Sequence, residues 1–138
     1  MRKIFVCLFA LLLLFVRFLF PGSFSWAFSE FNVLAFVESD SGREVEVAKG
    51  DVVVILLREV ETAGYLWEVV ELDLDRLLFL SSESVKLSPP GMLGGENLRV
   101  FFLRAVASGK AKVKLVYRRP WESFKPPDRV FHLTLRVK

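Results

Sequence analysis

The side chains that ordinarily carry catalysis are sparse in these 138 residues. The single cysteine, Cys7, sits inside an apolar N-terminal stretch, where it reads as one more apolar filler. The single histidine, His132, alternates with Phe131 and Leu133, which turns its ring to the wet face of a half-buried strand. Nucleophilic catalysis needs a thiol or hydroxyl within reach of an imidazole that a third group orients, and no such set is evident. The nearest pair of carboxylates, Asp73 and Asp75, falls on one strand or turn and reads as solvated surface. No enzyme activity, metal ion or cofactor is therefore expected.

What the remaining chemistry suits is non-covalent recognition, and it gathers in three segments. The first is Thr62-Ala63-Gly64-Tyr65, where a hydroxyl stands two places before a glycine that permits a backbone angle or a close approach forbidden to a Cβ. An ordinary turn would use the same residues. The second is Ser88 to Glu96, SPPGMLGGE, in which Pro89-Pro90 stiffens the approach to Gly94-Gly95. That glycine pair reads either as a plain hairpin tip or as bare backbone able to lie against a partner with strand-like hydrogen bonds. The third is Arg119 to Asp128, RPWESFKPPD, whose Trp121 beside Pro120 has the character of an interface anchor, with a lid over the core edge as the alternative. Arg119 either meets a partner or pairs with Glu122, and Arg118 reads as a solvated strand end. Tyr65 and Trp67 share a face; Trp67 is assigned to the core and Tyr65 supports it near the loop.

The elements that would position these segments are strands. Short runs rich in β-branched and aromatic residues recur between clusters of Gly, Pro, Asp and Ser. They are read over Phe31 to Val37, Arg43 to Ala48, Val52 to Val60, Tyr65 to Glu71, Asn97 to Ala107, Ala111 to Arg118 and Val130 to Val137. Leu72 to Leu80 suits a helical turn as well as a strand. Seven to eight such strands imply an all-β, immunoglobulin-like antiparallel sandwich occupying residues 28–138 as one domain. Consecutive antiparallel strands reverse direction, so connections separated by two strands emerge at the same end. By that parity the loops 60–65, 88–96 and 119–128 share one end of the sandwich.

Ahead of the domain, Arg2 and Lys3 precede an uninterrupted apolar run from Ile4 to Val16, the layout of a signal peptide. Ser25 and Ala27 supply the small residues of a cleavage site, so residues 1–27 are expected to be removed and the mature chain to begin at Phe28. The alternative is an uncleaved membrane anchor, which requires Arg17 to be tolerated at membrane depth. Either way the chain is expected to leave the cytoplasm, secreted or periplasmic if the leader is removed and membrane-anchored if it is retained. The whole chain carries 19 basic and 16 acidic side chains, but Arg2, Lys3 and Arg17 are all in the leader, so the remainder is balanced at 16 of each. A balanced domain argues against a nucleic-acid partner. The single-domain layout suggests a monomer.

Taken in order, Thr62-Ala63-Gly64-Tyr65-Leu66-Trp67, the Gly94-Gly95 loop and Tyr117-Arg118-Arg119-Pro120-Trp121-Glu122 resemble the chagasin family of cysteine protease inhibitors. That family carries an NPTTG(Y/F) loop, a GxGG loop and an RPW loop, and ends on an FxLxL strand such as Phe131 to Leu135 here. This chain has Val60-Glu61 in place of Asn-Pro, and Ala63 where a second Thr is common. Its glycine loop reads Gly91-Met92-Leu93-Gly94-Gly95, with either Met92 replacing the first glycine or one residue added. The resemblance implies a reversible, competitive inhibitor of papain-like, cathepsin L-type proteases. Thr62, Ala63, Gly64 and Tyr65 would enter the active-site cleft beside the catalytic cysteine, and Gly94, Gly95, Arg119, Pro120 and Trp121 would straddle it. The rival reading is an exported recognition module that binds a non-protease ligand through the same loops.

Overall fold

The computed structural model describes residues 30–60, 64–92 and 94–138. Eight strands form two four-stranded sheets. β1 (Val33–Val37), β3 (Val52–Val60), β5 (Leu77–Lys86) and β6 (Glu96–Ala105) make one sheet in the order β1-β3-β6-β5. β2 (Glu44–Val47), β4 (Leu66–Leu72), β7 (Gly109–Arg118) and β8 (Arg129–Val137) make the other, in the order β2-β8-β7-β4. The expected sandwich is thus present.

Alternation in the last two strands builds half of the core. Ala111, Val113 and Leu115 from β7 and Phe131, Leu133 and Leu135 from β8 are buried, while Lys110, Lys112 and Lys114 stay exposed. Facing them are Val53, Ile55 and Leu57 of β3 with Leu77, Phe101 and Leu103 of β5 and β6. Each fully buried leucine or isoleucine contributes roughly 2 kcal/mol. Trp67 joins this core as expected, 6% exposed, and its indole N–H donates to the carbonyl of Arg58 at 2.9 Å.

Successive strands alternate in direction, so odd-numbered strands run one way and even-numbered strands the other. Six of the strands therefore pair antiparallel, but wherever neighbours share parity the pairing must be parallel. That happens at one edge of each sheet, where β1 pairs with β3 and β2 with β8.

The ambiguous stretch Leu72 to Leu80 resolves into a turn and the start of β5. Asp73 accepts the amide of Leu77 on its carbonyl at 2.9 Å and the amide of Asp75 on its carboxylate at 3.1 Å, and it pairs with Arg76 at 2.8 Å. Asp73 is accordingly a turn cap rather than idle surface. β5 then runs on through Ser81-Ser82-Glu83-Ser84, which composition alone did not mark as strand. It is an edge strand with Leu77 its one buried residue, and a bulge between Phe79 and Ser81 shifts its register, so no alternation survives to be read.

Candidate functional site

Three registers bring the loops together. Val60, the last residue of β3, pairs with Glu96, the first of β6; Lys86, the last of β5, pairs with Asn97; and Leu66, the first of β4, pairs with Arg118, the last of β7. The Tyr117 hydroxyl, at the end of β7, accepts the amide of Val60 at 3.0 Å and so ties the two sheets at this end. The connections that begin after β3, β5 and β7 therefore leave the sandwich together, as strand parity predicts. Parity also sends the β1–β2 connection to this end, a feature the three-loop reading missed. Its Glu38 carboxylate accepts Arg129 at 2.6 Å and the amide of Arg58 at 3.2 Å.

In the first loop, Thr62 and Ala63 lie outside the described residues, and Gly64 and Tyr65 lie within them. Gly64 has φ +71°, the left-handed region that disfavours any side chain bearing a Cβ. A Cβ there would also collide with the indole ring of Trp121, whose Cζ2 would be 3.2 Å away. The glycine thus has the unusual backbone angle, and its close neighbour is this chain's own Trp121. Tyr65 stacks on Tyr117 with ring centroids 5.3 Å apart and 22° between planes.

The second loop closes on itself. The amide of Leu87 donates to the carbonyl of Glu96 at 3.0 Å, and the amide of Met92 donates to Pro89 at 3.3 Å across Pro90-Gly91, with Gly91 at φ +88°. Proline followed by a glycine of positive φ is the signature of a type II turn. Gly91 is thus the turn glycine, and Met92 projects 66% exposed beyond it. Gly94 is exposed, and Gly95 lies where a Cβ would strike the side chain of Ser88.

The third loop is folded rather than slack. Pro120–Glu122 forms a single 3-10 turn, and the amide of Asp128 donates to the Tyr117 carbonyl at 3.0 Å, closing its base. Glu122 pairs with Lys125 at 3.0 Å and with Arg119 at 3.7 Å. The Arg119 guanidinium also lies 4.8 Å over the Tyr65 ring, so it serves the loop frame. Trp121 rests one part of its ring on Gly64 and remains 66% exposed, so it is not a lid over the core. Arg118 departs from its expected role as a solvated end: it bonds Glu68 at 2.9 Å and is a quarter exposed. Phe124, 79% exposed on the same loop, escaped notice because nothing distinguishes one aromatic in a proline-rich loop until its exposure is known.

Beneath the loops, at the end of β3, Glu59 points inward at 3% exposure and is met by Arg99 at 2.9 Å and by the Ser84 hydroxyl at 3.2 Å. A lone acid inside the apolar run Val52 to Val60 was the available signal. Among the described residues, no group of three or more His, Cys, Asp or Glu side chains is placed to hold a metal ion.

Fold and site together define a sandwich domain that gathers three loops at one end. Residues 46–135 match the chagasin family peptidase inhibitor I42, and the chain belongs to that family. Among curated relatives from Entamoeba histolytica, amoebiasin-2 is 32% identical over 94 residues, covering 67% of this chain and 75% of its own length. Amoebiasin-1 is 29% identical over 108 residues, covering 76% of this chain and all of its own. Among solved structures, a crystal structure of a cysteine protease inhibitor from the same organism superposes with a TM-score of 0.72 at 24% identity, over 79% of this chain and 98% of that one. The solution structure of amebosin gives a TM-score of 0.63 at 28% identity, over 79% and 100%. The protein is a peptidase inhibitor by family and not an enzyme.

Proposed function

We propose that this domain inhibits papain-like cysteine proteases, including cathepsin L-type enzymes, reversibly and competitively, by placing loops 60–65, 88–96 and 119–128 in and around the active-site cleft. The observation that carries this reading is Trp121 seated on Gly64, which joins the first and third loops into one surface at the end of the sandwich. Thr62, Ala63, Gly64 and Tyr65 enter beside the catalytic cysteine. Gly94, Gly95, Arg119, Pro120 and Trp121 lie to either side. No bond to the enzyme forms, so inhibition is reversible, and a loop inside the cleft excludes substrate, so it is competitive. Loops already braced by turns and ion pairs lose little freedom on binding, which favours tight association.

The domain acts as a monomer outside the cytoplasm, in the periplasm or the medium, after loss of residues 1–27. N-terminal sequencing of the exported protein is expected to begin at Phe28. A chain that begins at Met1 in the membrane fraction would replace this with an anchored inhibitor.

The test of function is titration of papain and a cathepsin L-type protease with the chain beginning at Phe28, with and without competing substrate. Competitive inhibition at nanomolar concentration is expected. A folded domain that leaves both enzymes untouched at micromolar concentration overturns the reading in favour of a non-protease ligand at the same loops.

A further inference from the structure

We propose that Tyr117 and Arg129, neither of them in the three recognition segments, are positioning residues that hold the stems of loop 60–65 in the form that binds. This rests on the inhibitory reading above. Four side chains form a continuous layered stack at the loop end. The Arg119 guanidinium lies 4.8 Å over Tyr65, Tyr65 stacks at 5.3 Å on Tyr117, and the Arg129 guanidinium lies 4.1 Å over Tyr117 on its way to Trp67, whose ring is 5.2 Å from it. The two cations flank a pair of stacked rings, and a cation over a π face is attracted more strongly where water is partly excluded.

The stack grips the loop on both sides, by the backbone at its entry and by a side chain at its exit. On the entry side, Arg129 donates to the Arg58 carbonyl at 2.7 Å beside the Trp67 indole N–H, and two residues later the Tyr117 hydroxyl accepts the Val60 amide. On the exit side, Tyr65 is held between Arg119 and Tyr117. A second arm of Arg129 reaches Glu38 at 2.6 Å, so the β1–β2 connection braces the clamp from outside. Tyr117 and Arg129 stand at the two ends of loop 119–128, and the same contacts therefore set the first and third loops relative to each other.

Tyr117 is 5% exposed and does not reach a partner, so its effect on inhibition must pass through the loop. A loop that spends only a fraction of its time in the binding form weakens apparent affinity by that fraction. Loss of preorganisation therefore slows association and leaves dissociation unchanged, whereas loss of a direct contact chiefly speeds dissociation.

The experiment uses the full chain carrying Tyr117→Phe, which keeps the stacked ring and removes the acceptor for Val60. Hydrogen exchange at the Val60 amide is expected to accelerate by about tenfold, reporting local opening. Association with papain is expected to slow by roughly threefold to tenfold at unchanged dissociation rate. Arg129→Lys, which keeps charge and loses the forked contacts, should move both readouts in the same direction. Val53→Ala, a core truncation at the far end of β3, should lower stability without slowing association. Wild-type exchange at Val60 in Tyr117→Phe, or an inhibition loss that lies wholly in dissociation, overturns the proposal. If the unaltered chain fails to inhibit, the inhibitory reading falls, and Val60 exchange alone decides the clamp.

Discussion

Gly64 and Trp121 each suggest a contact with a partner, and they are first of all a contact with each other. The indole ring occupies the space that any larger residue at 64 would need, and the positive φ adds a backbone reason for glycine. Gly64→Ala is therefore expected to place a Cβ against the ring, force Trp121 from its seat and cost about 1 kcal/mol in the left-handed conformation itself. Trp121→Ala is expected to weaken protease binding by about 2 kcal/mol, mainly through faster dissociation, as for an aromatic anchor. Inhibition constants of the two single variants and the double variant form a cycle. The double variant should lose less than the sum of the singles by at least about 0.5 kcal/mol, because each substitution removes the same seat. Additive losses would mean that the two residues act separately.

At the scale of the element, β3 carries an acid near each end, and the two are satisfied differently. Glu59, inward and buried, depends on Arg99 and Ser84. Arg99→Ala leaves that carboxylate without its counter-charge and is expected to cost about 3 kcal/mol in urea unfolding, well beyond the loss of an exposed ion pair. Asp51, 4% exposed at the other end, accepts the amides of Asn32 at 3.0 Å and Ala48 at 2.9 Å. Those backbone donors, Asn32 foremost and then Ala48, outweigh burial and hold the Asp51 carboxyl below its ordinary value. The folded form thus prefers the ionised carboxylate. The stability this brings is complete above the ordinary aspartate value of about 3.9 and disappears as pH falls through the lower folded-state value. Asp51→Asn is expected to flatten the dependence of melting temperature on pH below about pH 4. An unchanged acid limb would assign acid unfolding to the carboxylates of Asp40, Glu44 and Glu46, which arginine, lysine and backbone donors also hold low.

Across the whole molecule, strict alternation of strand direction decides which connections can cooperate. Every connection that follows an odd-numbered strand emerges at one end, so the first, third, fifth and seventh strands deliver their loops to a common surface. The reversals were countable from strand-like runs and turn residues, because alternation along β7 and β8 is a local consequence of burying one face. Val52 to Val60 stood out instead as a nearly continuous apolar run rich in β-branched residues, and it matches β3 in full. The order of the three loop motifs, the family they resemble and the core position of Trp67 were equally legible, since each rests on residues adjacent or nearly so in the chain. Local pattern carries no record of sheet order or of side-chain direction across the gap between sheets. Only the tertiary structure therefore placed Trp121 on Gly64, joined Arg119, Tyr65, Tyr117 and Arg129 in one stack, paired β1 and β2 in parallel with their neighbours, and extended the exposed β5 through four polar residues. Those features depend on groups far apart in sequence meeting at one place, and that meeting is set by how the two sheets pack.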